Sequence, residues 1–171
     1  MRNKAKITAF FGLFTALALI LAYVEVLLPP LFPSIPGIKM GLPNIIIVFL
    51  LYRRSACSAI VVSLLRILLV TMLFGNVMAL MYSLAGGVLS LLLMILLRRL
   101  NFLSTVGVSV AGGVAHNVGQ ILMAMLLLET AELGYYLVVL TITGIIAGVF
   151  IGLCGSVLIK KVPANLLFFD K

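Results

Sequence analysis

Apolar residues run almost unbroken along this chain, and the polar and charged ones fall in short clusters between hydrophobic segments. A helix needs about 20 consecutive apolar residues to cross the hydrocarbon core of a bilayer. Six segments meet or approach that length: Ile7–Leu28, Met40–Tyr52, Ser55–Phe74, Asn76–Leu97, Ser104–Leu128 and Tyr135–Ile159. The pattern predicts an all-α polytopic membrane protein, a six-helix transmembrane bundle forming a single domain over residues 1–171. The second segment is short for a span. It follows the stretch from Pro29-Pro30 to Pro36-Gly37, which cannot be regular helix because proline lacks a backbone donor and its ring blocks the preceding turn. Residues 29–39 are therefore expected to form an outer loop, partly re-entrant, leading into a short or tilted second helix.

Composition supports this reading. The 171 residues are 64% hydrophobic and 9% charged, with a mean hydropathy of +1.36; soluble domains are nearer about 45–50% apolar and about 25% charged. The first apolar run follows Arg2, Lys4 and Lys6 and could pass for a signal peptide. Its core of roughly twenty residues exceeds a signal h-region of about 7–15, so it is expected to stay as an uncleaved first helix.

A net charge of +8 would ordinarily suggest nucleic acid as a partner. Here the basic residues form short pairs between apolar runs, where they act as topology determinants. With a cytoplasmic N-terminus, Arg2, Lys4, Lys6, Arg53, Arg54, Arg98, Arg99, Lys160, Lys161 and Lys171 all lie inside. Lys39 alone lies outside and Arg66 falls within a span. Both termini are thus expected in the cytoplasm and the chain in the plasma membrane. Cys57 and Cys154 fall near the predicted cytoplasmic helix ends, with neither a disulfide framework nor metal-ligand spacing. No cofactor is expected.

Lipid gives helices no hydrophobic reason to associate, so small residues that allow close backbone approach mark packing faces. Gly144, Gly148 and Gly152 form such a ridge on the sixth helix, and Ala111, Ala115 and Gly119 one on the fifth. The first helix has Thr8, Gly12 and Ala16, with the pairs Ala5–Ala9 and Ala18–Ala22. Each ridge suits either internal packing or a partner, and the first helix is the foremost candidate for a docking face.

Ionisable groups at membrane depth are costly and by default face a cavity, a partner or a function. Arg66 lies near the middle of the third span, too deep to snorkel easily to either surface. It would serve either as a structural clamp or as a planar fork gripping an anionic ligand group. His116, Asn117 and Gln120 cluster in one turn of the fifth span, with His116 and Gln120 on one face and Gly113 just before them. Glu25 sits near the outer end of the first span and could pair with Arg66 or Lys39, or face water. Asn44 and Asn76 begin the second and fourth spans, where N-caps are the expected role. With Glu25 and Lys39 they also complete a candidate ligand-binding set that is polar towards the outside. The inner halves carry little beyond Ser, Thr and Cys, a gradient that describes a cavity open outward and closed inward.

Four stretches carry a resemblance. Leu13-Phe14-Thr15-Ala16-Leu17-Ala18-Leu19, Pro36-Gly37-Ile38-Lys39-Met40-Gly41-Leu42-Pro43-Asn44, Tyr82-Ser83-Leu84-Ala85-Gly86-Gly87 and Ala115-His116-Asn117-Val118-Gly119-Gln120 resemble the Gx transporter family. That family is also labelled heptaprenyl diphosphate synthase component I, and the likeness runs from about residue 4 to residue 161. The family is similar in turn to the S components of energy-coupling factor (ECF) transporters, six-helix proteins that bind a vitamin-like molecule from outside. The resemblance implies docking through the first helix onto a T component that carries two ATPases. The matching small residues would be Ala5, Ala9, Gly12, Ala16, Ala18 and Ala22. It also implies a link with flavin-based extracellular electron transfer in Gram-positive bacteria, and so with a flavin or quinone.

The synthase label meets a chemical objection. Prenyl elongation holds magnesium on a diphosphate through clustered carboxylates, and no two acidic residues have such spacing within the spans or at the cytoplasmic face. Catalysis by this chain alone is therefore not expected. There is also no Gly-x-x-x-x-Gly-Lys loop, so energy for transport would come from a partner or a gradient. The expected function is a binding subunit for a small extracellular molecule such as a vitamin, flavin or quinone-like compound. The rival is a non-catalytic accessory subunit of an isoprenoid, menaquinone or electron-transfer pathway. A lone secondary transporter fits poorly with the small size and the lack of a strong inverted repeat.

Overall fold

The computed structural model describes residues 2–27 and 41–163, and among them it is helical throughout, without strands. The expected loop at 29–39, with Lys39 in it, lies outside the described residues, as do Met40, Asp170 and Lys171. Six α-helices follow in order: α1 Arg2–Leu27, α2 Asn44–Arg53, α3 Ala56–Phe74, α4 Val77–Leu100, α5 Thr105–Leu128 and α6 Tyr136–Lys161. A short 3-10 turn, Ala131–Tyr135, leads into α6. Five of the six helices are long and apolar enough to cross a membrane. This is a membrane protein.

The exception is α2. Its ten residues extend only about 15 Å at 1.5 Å per residue, roughly half the hydrocarbon thickness. The second segment, expected as a short or tilted helix, is thus half-length. Its sequence explains where it goes: Ile45 to Leu51 are all buried, so the helix is apolar on every side and needs protein around it. It packs against α1, α3 and α6 as the core of the bundle. Phe49 stacks on Phe14 of α1 with ring centroids 5.9 Å apart, and Phe14 in turn meets Phe10 at 4.7 Å.

Helix starts are set by side-chain caps that satisfy otherwise orphaned N–H groups. Ser55 accepts from the Ser58 N–H, Asn76 from the Ala79 N–H at 2.8 Å, and Ser104 from the Gly107 N–H. Asn44, by contrast, is not a cap. Pro43 occupies that position, and Asn44 is the first residue within α2. At the other ends, Asn101 and Glu129 close α4 and α5 in the left-handed region, each at φ 51°. α4 and α6 continue to Leu100 and Lys161, beyond the expected Leu97 and Ile159, because their basic residues are good helix formers with long side chains.

Those basic residues meet at one end of the bundle. Arg53 donates to the Ile159 carbonyl in the last turn of α6, where helix carbonyls lack internal partners. The Arg98 guanidinium lies 5.4 Å from the Tyr52 ring centroid and that of Arg54 lies 5.5 Å from that of Phe10. The small-residue ridge on α6 closes on α5 at Val106, Val110 and Gly113, whereas Gly119 of the expected α5 ridge closes on α4, where an added Cβ would lie 2.7 Å from the Ala85 carbonyl oxygen. A Cβ on Gly148 would lie 2.6 Å from the Val110 Cα, and one on Gly113 2.5 Å from the Gly144 carbonyl oxygen. The ridge on α6 is thus an internal packing face. On α1 the small residues divide: Ala5, Ala9, Gly12 and Ala16 are exposed, whereas Ala18 and Ala22 are buried in the bundle. Ala18 and Ala22 therefore drop out of the expected docking face, because their side of α1 is turned towards the other helices.

Candidate functional site

A cavity of about 190 Å³ lies in the half of the bundle away from the basic end. Every helix contributes to its wall: Ala22 and Glu25 from α1, Asn44 from α2, Arg66 and Thr71 from α3, Tyr82 and Ser83 from α4, His116, Asn117 and Gln120 from α5, and Thr143 from α6. Six of the residues singled out in the sequence are therefore gathered in one place: Glu25, Asn44, Arg66, His116, Asn117 and Gln120. Asn76 is not among them. It is spent as the N-cap of α4 and is exposed at the helix end. Lys39 lies outside the described residues.

Glu25 fixes one corner. One carboxylate oxygen accepts from the backbone N–H of Gly41, tying the end of α1 to the residues that lead into α2. Gly41 has φ +73°, a left-handed conformation that glycine adopts without a Cβ penalty. The amide nitrogen of Asn44 sits 3.0 Å from where a Gly41 Cβ would be, so the missing side chain also makes room for that carboxamide.

Arg66 projects into the cavity from the centre of α3. Its Nε is buried and has no hydrogen-bond partner among the described residues. Glu25 acts on it electrostatically, and Arg66 acts in turn on His116. A guanidinium carries five donors in a fixed planar fork. Left unpaired in a low-dielectric setting, such a donor is expensive, so the geometry favours an acceptor arriving from the cavity.

On the opposite wall the spacing of α5 works as expected. His116 and Gln120 share a face and both press on Gly86 of α4: a Cβ there would lie 3.1 Å from the His116 ring carbon Cε1 and 2.8 Å from the Gln120 Cγ. Gly86 is what lets both polar side chains lie in the α4–α5 seam. Asn117 has a different task. Its Nδ2 donates to the Leu140 carbonyl of α6, the same oxygen that accepts from the Thr143 hydroxyl at 3.0 Å. This is a polar latch between α5 and α6 at the cavity edge.

Four polar lining residues were not singled out for the site from the sequence: Thr71, Tyr82, Ser83 and Thr143. The Thr71 hydroxyl bonds back to the Ile67 carbonyl at 2.8 Å. Tyr82 and Ser83 had a readable signal, since with Gly86 they fall at helical spacing on the α4 face that meets the cavity. A hydroxyl alone is too common in membrane helices to be read as a ligand group.

The sequence model of a family described as heptaprenyl diphosphate synthase component I matches residues 14–158. The chain belongs to this family. Among curated proteins and among solved structures, nothing gives a significant match. The matched region of this heptaprenyl diphosphate synthase component I family member contains every described polar residue of the cavity wall, from Glu25 to Thr143. It also contains α2 and both glycine-mediated helix crossings.

Proposed function

We propose that this protein is a membrane-embedded, non-catalytic binding subunit for a small molecule taken up from outside the cell. The observation that carries the reading is the Arg66 guanidinium, whose buried Nε lacks a hydrogen-bond partner among the described residues in a cavity it shares with Glu25, His116 and Gln120. Arg66 grips an anionic or strongly polarised acceptor on the ligand, and His116 and Gln120 hydrogen-bond a polar ring or head group. Vitamin, flavin and quinone-like molecules carry such groups. Ten basic residues that cluster on one side of the sequence's predicted topology support a plasma-membrane orientation with both termini in the cytoplasm. The cavity then faces outward.

Inward movement requires energy from elsewhere. The exposed small face of α1, Ala5, Ala9, Gly12 and Ala16, is the surface we assign to a partner, in the manner of an ECF S component docking on a T component with its ATPases. The second reading rests on the family's description as component I of a synthase. Under it the chain is an accessory subunit that presents a lipid-soluble molecule to a separate enzyme of an isoprenoid or electron-transfer pathway.

Mass spectrometry on protein purified from its host in mild detergent tests both readings in one sample. A stoichiometric small molecule that is lost in Arg66→Gln supports the binding subunit. An empty cavity with a prenyl or redox enzyme attached replaces it with the accessory role.

A further inference from the structure

Beside the polar cavity runs a second, apolar crevice between α3 and α4, of about 120 Å³. Its floor is Ser63, Ile67, Gly87 and Leu91, all buried, and its rims are Ile60 and Leu64 on α3 and Val88 and Leu92 on α4, all exposed. From Ile60 to Ile67 the crevice follows two turns of α3, about 10 Å at 1.5 Å per residue. Ser63 apart, its walls offer no polar side chain. Such a channel at the lipid-facing surface needs an occupant, because helices in a bilayer pack without voids unless lipid or ligand fills them.

The two spaces meet at one side chain. Ile67 lines both of them, and its sequence neighbour Arg66 projects into the polar one. Ile67 fits there because Gly87 carries nothing to oppose it: a Cβ on Gly87 would lie 2.8 Å from the Ile67 Cδ1. A polar site that holds a cation thus shares one lining side chain, Ile67, with an apolar crevice whose rims are exposed.

We propose that the α3–α4 crevice is the tail subsite of the same ligand whose head is held at Arg66, which makes that ligand an amphiphile with an anionic head and one slender apolar tail. The inference rests on the binding-subunit reading and narrows its ligand class. The head exchanges water for the Arg66 fork, and the tail leaves the cavity past Ile67 without losing its apolar surroundings.

Two phosphate monoesters, butyl phosphate and dodecyl phosphate, serve as probes on the full chain in lipid nanodiscs, with binding measured above that of empty nanodiscs. Val88→Trp and Leu64→Trp fill the crevice from its exposed rims, where a larger side chain can also turn towards lipid without unfolding the bundle. The expected result is that both probes lose binding in Arg66→Gln, while the two tryptophan variants weaken dodecyl phosphate at least tenfold and leave butyl phosphate unchanged. If both probes depend on Arg66 but dodecyl phosphate binds the tryptophan variants within twofold of the parent, the crevice holds ordinary lipid. The tail subsite is then overturned while the cavity reading stands. If neither probe depends on Arg66, the head site itself fails and the tail subsite fails with it.

Discussion

The carboxamide of Asn117 on α5 donates to the carbonyl of Leu140 on α6, joining two helices at the edge of the polar cavity. That oxygen also takes the Thr143 hydroxyl, so it is a shared acceptor at a point where the two backbones nearly touch. Asn117 is therefore a stabilising residue that borders the site, whereas its neighbours His116 and Gln120 offer their side chains to the cavity.

The difference is measurable. Asn117→Ala removes an interhelical hydrogen bond, which within membranes contributes about 0.5–2 kcal/mol. It is expected to lower the thermal unfolding midpoint in detergent by a few degrees. Gln120→Ala is expected to leave that midpoint nearly unchanged and to weaken ligand retention. A reversed pattern, with Gln120→Ala the less stable of the two, would contradict this division of roles.

Much of this arrangement was legible in the sequence, for physical reasons. A charged or polar group inside a twenty-residue apolar run has few places to go, so Arg66, His116 and Gln120 could be assigned to one cavity from their depth alone. The i, i+4 spacing of His116 and Gln120 carried over directly to a shared wall. What could not be read were relationships across helices. Asn44 looked like a cap, but Pro43 holds that position and leaves its side chain to the cavity. Ala18 and Ala22 repeat the small-residue spacing of Ala5 and Ala9, yet only helix rotation within the bundle decides which pair faces inward. Nor does an apolar run disclose that α2 stops at half a membrane thickness and becomes the core.

Glycine positions separate internal packing from surface. At Gly148 an added side chain meets the backbone of Val110, which cannot move without parting α5 from α6. Gly148→Leu is expected to destabilise the protein by about 1–3 kcal/mol through overpacking, seen as lost monodispersity and a lowered melting point. At Gly12 no atom of another described element lies within 4 Å of a new Cβ. Gly12→Leu is therefore expected to leave the isolated protein as stable as the parent while abolishing co-purification of an energising partner in the host. If Gly12→Leu keeps that partner at parental levels, the exposed face of α1 is not the docking surface.

Accessibility follows from where the polar groups lie. In a background with Cys57→Ser and Cys154→Ser, single cysteines placed at 116 and 120 are expected to react with a membrane-impermeant maleimide added outside intact cells. A cysteine restored at 57, which is exposed on the first turn of α3 near the basic end, is expected to react only after the cytoplasmic side is opened. Labelling of 116 and 120 from the cytoplasmic side alone would invert the proposed orientation of the cavity.

The last prediction concerns the charges of Glu25 and Arg66. Glu25→Gln retains a side-chain oxygen for the Gly41 N–H but removes the carboxylate that acts on Arg66 across the cavity. That leaves the Arg66 charge with less compensation in a low-dielectric setting and is expected to lower the thermal unfolding midpoint. Arg66→Gln leaves Glu25 in the complementary position, at a smaller expected loss, because Glu25 keeps its hydrogen bond to the Gly41 backbone. The double variant Glu25→Gln/Arg66→Gln removes both charges and is expected to be more stable than Glu25→Gln alone, while binding no anionic probe. Thermal unfolding of the four proteins gives the coupling between the two residues directly. A double variant whose loss is the sum of the two single losses would show that the two charges are independent. Glu25 would then serve only to hold Gly41 in place, and the cavity charge would be that of Arg66 alone.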